Sequence, residues 1–235
     1  MATRTRRSQR RTEALSRERI VKAAVELLDA SGEGGLTFRA LTERLATGPG
    51  AIYWHVANKD ELLTAATDAV VAGAVAGAGE ASQDPEDGIR AVALRLFDAT
   101  EEHPWIAAQL ATQLSRSPGG TVAPRILEGI GRHVRALGVP EAGWFTAASA
   151  LMHYILGAAG QNVANTESAR ALGPGADRGE FLGTVSAAWK RLDPDDYPFT
   201  RAVADQARAH DDREQYLAGI DLLLAGIDAG RSHTA

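Results

Sequence analysis

Tyr53, Trp54, His55 and Lys59 lie close together in the stretch YWHVANK. A phenol, an indole N–H, an imidazole and an ammonium can all donate to anionic oxygen, and together they suit the phosphates of a nucleic-acid backbone. Lys59 also opens a helix-like run, and a helix N-terminus itself attracts anions. Just upstream, a groove-reading helix should carry long polar side chains. Here the chain has Gly48, Pro49, Gly50 and Ala51. Ala51 can touch a thymine methyl and Gly50 lets the backbone come close, but neither makes a two-point hydrogen bond to a base. Specificity must then come partly from elsewhere. The Arg-rich start, with Arg4, Arg6, Arg7, Arg10 and Arg11, could enter a minor groove and sense its width. Equally, it could add only non-specific charge attraction.

The elements that must hold these residues are helical. Ser16 suits an N-cap, with Leu15 and Ile20 placed as a hydrophobic staple. Ile20, Ala23, Ala24, Leu27 and Leu28 then repeat at helical spacing, and Gly32 suits a left-handed stop. Thr37 can cap a second helix running to about Leu45, followed by the short turn Ala46-Thr47-Gly48. Pro49 is tolerated in the first turn of a third helix. Asn58 with Glu61 forms a capping box for a fourth. Two short helices joined by a three-residue turn make a helix-turn-helix, whose second helix enters the major groove.

The segment SQDPEDG (82–88) marks a break. Beyond it the pattern stays helical, at roughly 88–102, 104–115, 122–137, 141–165, 177–191, 199–209 and 212–230. The expected architecture is all-α: a basic arm, 1–14, disordered when free; a helix-turn-helix domain, 15–80; and a larger ligand-binding and dimerisation domain, 81–235. The helices at 141–165 and 212–230 are apolar on more than one face and are candidates for dimer packing. An apolar pocket with few polar anchors could draw on Phe97, Trp105, Gln109, Gln113, Trp144, Met152, His153, Gln161, Asn162 and Trp189. Each alone fits plain packing or surface; only their density suggests a cavity.

Composition narrows the class. The 235 residues carry a net charge of −5, yet residues 1–60 hold 11 Lys/Arg against 7 Asp/Glu. The front is therefore net +4 and the remainder −9, so the front is the part that approaches a polyanion. There is no Cys, which excludes disulfides and thiolate metal sites. No apolar stretch is long enough to span a membrane, and the basic start lacks the apolar run of a secretory signal; a cytoplasmic setting is expected. No G-x-S-x-G, P-loop, H-E-x-x-H or dinucleotide fingerprint is present, so no enzyme, cofactor or metal is expected. The loop GPGADRG (173–179) has no preceding strand, and Asp193-Pro-Asp195-Asp196 reads as a solvated turn.

Residues 20–63 resemble the DNA-binding domain of the tetracycline-repressor (TetR) family of bacterial transcription regulators. The matching residues are Ile20, Ala23, Leu27, Gly32, Leu36-Thr37, Arg39, Leu41, Leu45-Ala46, Ile52 to Val56, Asn58-Lys59 and Glu61 to Leu63, with YWHVANKDELL the most specific. YLAGIDLLLAGIDAG resembles the closing helix of the family's C-terminal domain. The resemblance implies a homodimer on a palindromic operator, with a small-molecule effector in each C-terminal domain. By position, Arg39, Tyr53, Trp54, His55 and Lys59 would contact or support the DNA backbone, with Thr37 beside them, and Gly48 to Ala51 would face base edges. His103 falls where tetracycline-binding members place a histidine tied to a magnesium–drug complex, but no second ligand at useful spacing is evident. A ligand-released repressor is the expected function; the alternative is a low-specificity accessory or architectural DNA-binding protein.

Overall fold

The computed structural model describes residues 15–76, 84–116, 120–171, 178–209 and 211–232. The Arg-rich arm, Arg4, Arg6 and Arg7 included, lies outside them. Among the described residues all regular structure is helical, and the chain divides into two compact units at Ala66/Thr67.

The first unit holds α1 (Arg17–Gly35), α2 (Phe38–Leu45), α3 (Pro49–Tyr53) and the start of α4 (Lys59–Ala76). Ser16 caps α1 by accepting from the Arg19 N–H at 3.3 Å. The apolar stripe of α1 buries Ile20, Ala23, Ala24 and Leu28. Leu36, Leu41, Ile52, Val56, Leu62 and Leu63 are buried in the same unit. Burying each Leu or Ile is worth roughly 1.5–3 kcal/mol, which holds a five-residue helix such as α3 that could not persist alone. Gly32 departs from the expected stop. Its φ of 62° needs glycine, but its ψ of −168° is not the left-handed cap, and a further helical turn follows to Gly35. The left-handed cap belongs to Ala46 instead (φ 50°, ψ 48°), at the end of α2.

The second unit holds the rest of α4 with α5 (Pro85–Glu102), α6 (Trp105–Arg116), α7 (Val122–Ala136), α8 (Trp144–Ala171), α9 (Arg178–Lys190), α10 (Pro198–Ala202), α11 (Ala204–Ala209) and α12 (Asp212–Ser232). Helices α5, α7, α8 and α12 share one core, including Ile89, Phe97, Ile126, Ile130, Leu151, Ile155, Tyr216 and Ile220. Close approach of α8 to α12 depends on Gly219, over which the Tyr154 ring lies. The Tyr154 hydroxyl donates to the Tyr216 carbonyl at 3.1 Å, and the Tyr216 hydroxyl donates to that of Ala93 at 2.9 Å. Arg90 joins α5 to α12 through Asp221 at 2.8 Å.

Two expected boundaries shift. Residues 141–143 form a 3-10 turn, so α8 begins at Trp144 and extends to Ala171. The stretch 199–209 is broken at Val203, whose φ and ψ of −91° and 1° leave the helix, giving α10 and α11.

Candidate nucleic-acid interface

The helix-turn-helix is fixed from below and open above. Thr37 accepts from the Ala40 N–H at 3.1 Å and so caps α2. The hydroxyl only accepts in this cap, so its own O–H can still donate to a partner. Arg39 is 88% exposed in its side chain and, among the described residues, pairs with Glu43 on its own helix, at 2.9 Å. An exposed pair of this kind is worth little, so a phosphate can recruit the guanidinium. The turn closes with the Thr47 N–H on the Thr42 carbonyl at 3.1 Å. Gly48 then caps α3 with Pro49 in its first turn. Gly48, Pro49 and Gly50 are exposed, Ala51 is half-buried, and Ile52 is fully buried as the anchor.

The aromatic cluster divides by role. Tyr53 stacks on Phe38 at 4.5 Å between ring centroids, which fixes its phenol at the surface. Trp54 is 90% exposed. His55 is half-buried, and its carbonyl accepts from Arg17 at 2.7 Å. Arg17 also pairs with Glu61 at 2.8 Å, whose other oxygen accepts from the Ala57 N–H at 2.8 Å. That amide, followed by Arg17, holds the Glu61 carboxyl below the usual range. Asn58 accepts from the Glu61 N–H at 2.8 Å, so α4 starts on its expected side-chain cap. Lys59 donates to the Glu33 carbonyl at 2.6 Å, tying the start of α4 to the end of α1. An ammonium has three donors, so this bond leaves capacity for a phosphate.

Arg17 was not singled out from sequence. A signal was present: a cation in the first helical turn opposes the helix dipole, and such a residue needs a partner elsewhere. Here that partner is the loop behind α3.

In the second unit the ten pocket candidates do not converge. Phe97 and Met152 are core residues, Phe97 lying 4.8 Å from the Tyr216 ring. Trp105 is half-buried, edge-on to His103. Trp144 donates to the Val139 carbonyl at 2.7 Å beneath Arg135, a packing role at the head of α8. His153 and Gln161 are exposed, and Gln161 bonds Asn165 at 2.9 Å. Trp189 lines a groove with Phe199, Val203 and Ala218. Gln109 and Gln113 of α6 are both buried. Asn162, also buried, donates to Glu101 at 3.3 Å across a cleft of about 90 Å³ bordered by Thr100, Pro104 and Glu167. Among the described residues no three His, Asp or Glu side chains form a metal-sized group, and no helix is long and apolar enough to cross a membrane.

Comparisons agree with this geometry. Residues 20–66 match the family described as bacterial regulatory proteins, tetR family, and residues 80–231 match the tetracyclin repressor-like C-terminal domain. The chain is 33% identical over 222 residues to an HTH-type transcriptional regulator of Saccharopolyspora erythraea, covering 91% of this chain and 87% of that one. Among solved structures it is similar to the transcriptional regulator SCO7222, a TetR from Streptomyces coelicolor. That match has 70% identity and a TM-score of 0.83, and covers 93% of this chain and all of that one. The fold is also that of Streptomyces coelicolor ActR in complex with actinorhodin, at 23% identity and a TM-score of 0.75, covering 95% of this chain and all of that one. The exposed Arg39–Trp54 surface therefore belongs to a DNA-binding transcriptional regulator, and the chain is a member of the TetR family.

Proposed function

We propose that the chain is a repressor that leaves a palindromic operator, bound as a homodimer, when a small molecule enters its C-terminal body. The observation that carries this reading is the α2–α3 surface. Exposed Arg39, Tyr53 and Trp54 flank the bare backbone of Gly48, Pro49, Gly50 and Ala51. Arg39, Tyr53, Trp54, His55 and Lys59 position the head on phosphates, Thr37 sits beside them, and α3 faces base edges. The division into arm (1–14), head (15–80) and body (81–235) is part of the proposal, with α4 as the covalent route shared by head and body.

The dimer face is assigned to α8 and α12. An open apolar groove runs between them, lined by Ala147, Ala150, Leu222, Leu223 and Ile227. Leu222 and Phe145 stand 76% and 77% exposed in the single chain. A second copy, paired two-fold, would bury them. ActR, of the same fold, is seen with actinorhodin, which supports a small-molecule effector. The site of action is the cytoplasm, where the DNA is.

The test is a footprint on the DNA flanking the chain's own gene, at physiological salt with excess competitor DNA. A protected palindrome is expected. A second reading is favoured by one observation, the absence of any polar side chain from Pro49 to Ala51: a regulator with little sequence choice. Uniform protection with a steep salt slope would select it. Deleting residues 1–12 is expected to weaken binding and relax the preference at the flanks; unchanged affinity and preference would remove the arm from recognition.

A further inference from the structure

The buried polar side chains among the described residues are Thr67, Thr100, Gln109, Gln113, Asn162 and Ser186. All belong to the second unit and all are uncharged. No Asp, Glu, Lys, Arg or His in the described residues is buried to the same degree. A charged molecule sealed among these side chains would lose its hydration and meet no counter-charge among them, the carboxylates at the Asn162 cleft, Glu101 and Glu167, being exposed, which is strongly unfavourable. A neutral molecule incurs no such cost.

Within this set Gln113 stands apart. Its side chain is 92% buried by the residue's 8% exposure, and its amide nitrogen has no hydrogen-bond partner. It lies on the buried face of α6 with Ile106, Gln109 and Leu110, one turn beyond Gln109. Leu114 beside it packs on the apolar core. A leucine at 113 would suit both the helix and the core, whereas a buried donor left unpaired is a standing cost. The cleft bordered by Pro104 and Asn162 lies at the start of the same helix.

We infer that Gln113 is the recognition donor for a neutral, largely apolar effector that presents an accepting oxygen, such as a ketone, quinone or lactone carbonyl. This rests on the reading that the body holds a small-molecule effector. The unpaired N–H then finds its acceptor only in the bound state, and so contributes to the affinity difference on which release from DNA depends.

The full-length protein without DNA is titrated with three probes, by tryptophan fluorescence and thermal shift. Flavone is a neutral ketone, crystal violet a cation, and dodecanoate an anion. Wild type is expected to bind flavone at least about tenfold more tightly than either charged probe. Gln113→Leu is expected to raise the Tm of the free protein while weakening flavone binding about tenfold, the size of one lost hydrogen bond. Gln113→Met, which keeps length without a donor, should behave the same way. Equal flavone binding by Gln113→Leu, a lower Tm in both variants, or preference for a charged probe would overturn the inference while leaving an effector site in place. Binding of none of the three probes would overturn the effector site as well.

Discussion

The outer face of α3 and the inner face of α6 depart from the usual pattern in opposite directions. On α3, the exposed positions Pro49 and Gly50 carry nothing polar where water would accept any polar side chain. On α6, buried positions carry two carboxamides where the core would accept anything apolar. Pro49 and Gly50 offer water no polar side chain, and among the described residues the buried Gln113 amide nitrogen has no hydrogen-bond partner. The comparison shows where each surface would find its complement: under the proposed function a DNA groove for α3, and under the inference drawn above an oxygen-bearing molecule for α6.

The same substitution should separate a glycine that the frame requires from one that the partner requires. At Gly219 an added methyl would overlap the Tyr154 phenol. Gly219→Ala is expected to destabilise the second unit by about 1–3 kcal/mol, as overpacking does, and a drop in Tm with a loosened dimer would show it. An unchanged Tm would mean that the α8–α12 contact is soft and the comparison overstated.

A second measurement addresses the exposed rim of α3. Trp54→Ala is expected to weaken operator binding several-fold with little change in Tm, because the ring touches little in the free chain. Arg39→Ala is expected to reduce the salt slope by about 1, the signature of one phosphate contact. A loss of affinity with no change in slope would move Arg39 from the backbone to the bases.

Alkaline titration probes the interior. Burial pushes the Tyr216 phenol far above its ordinary value, and burial raises Tyr154 as well. A raised folded pKa contributes stability that is whole below the unfolded value, about 10, and is lost as pH rises past it toward the folded value. Tm should therefore fall above about pH 10. Tyr216→Phe should flatten that fall while costing about 1 kcal/mol at neutral pH for the lost bond to Ala93. An equally steep fall in the variant would place the alkaline weakness elsewhere.

The smallest effect is expected at Gly50. Nothing lies within 4 Å of the position a methyl would take there, and its φ is not in the positive range. Gly50→Ala should stabilise the first unit by about 0.5–1 kcal/mol and still weaken operator binding, since the cost falls on the DNA. Unchanged operator affinity would show that α3 does not approach the groove closely.

The head was legible in the sequence because its signals are local. Asn58 and Glu61 sit three residues apart, Thr37 directly precedes its helix, and Ile20 to Leu28 repeat on one stripe. What escaped was either a matter of angle or of distance along the chain. Gly32 has the positive φ but the wrong ψ for a cap. Arg17 meets His55 and Glu61, 38 and 44 residues away. In the body, periodicity separates inward from outward faces without naming what each face meets. Trp144 and Trp189 thus read as pocket residues, yet one bonds the Val139 carbonyl and the other lines a groove against α10 and α11. Gln109 and Gln113 read only as two of ten pocket candidates, because their burial on α6 depends on neighbours that the sequence does not name.

Trp54 is the one tryptophan of the first sixty-six residues, the others being Trp105, Trp144 and Trp189. Bathed in water at 90% exposure, its indole should emit at long wavelength and be more open to quenching by dissolved iodide than the three half-buried rings. The first unit thereby carries its own optical reporter, and if Trp54 meets DNA as proposed, binding in unlabelled protein should be read as iodide losing access to that ring.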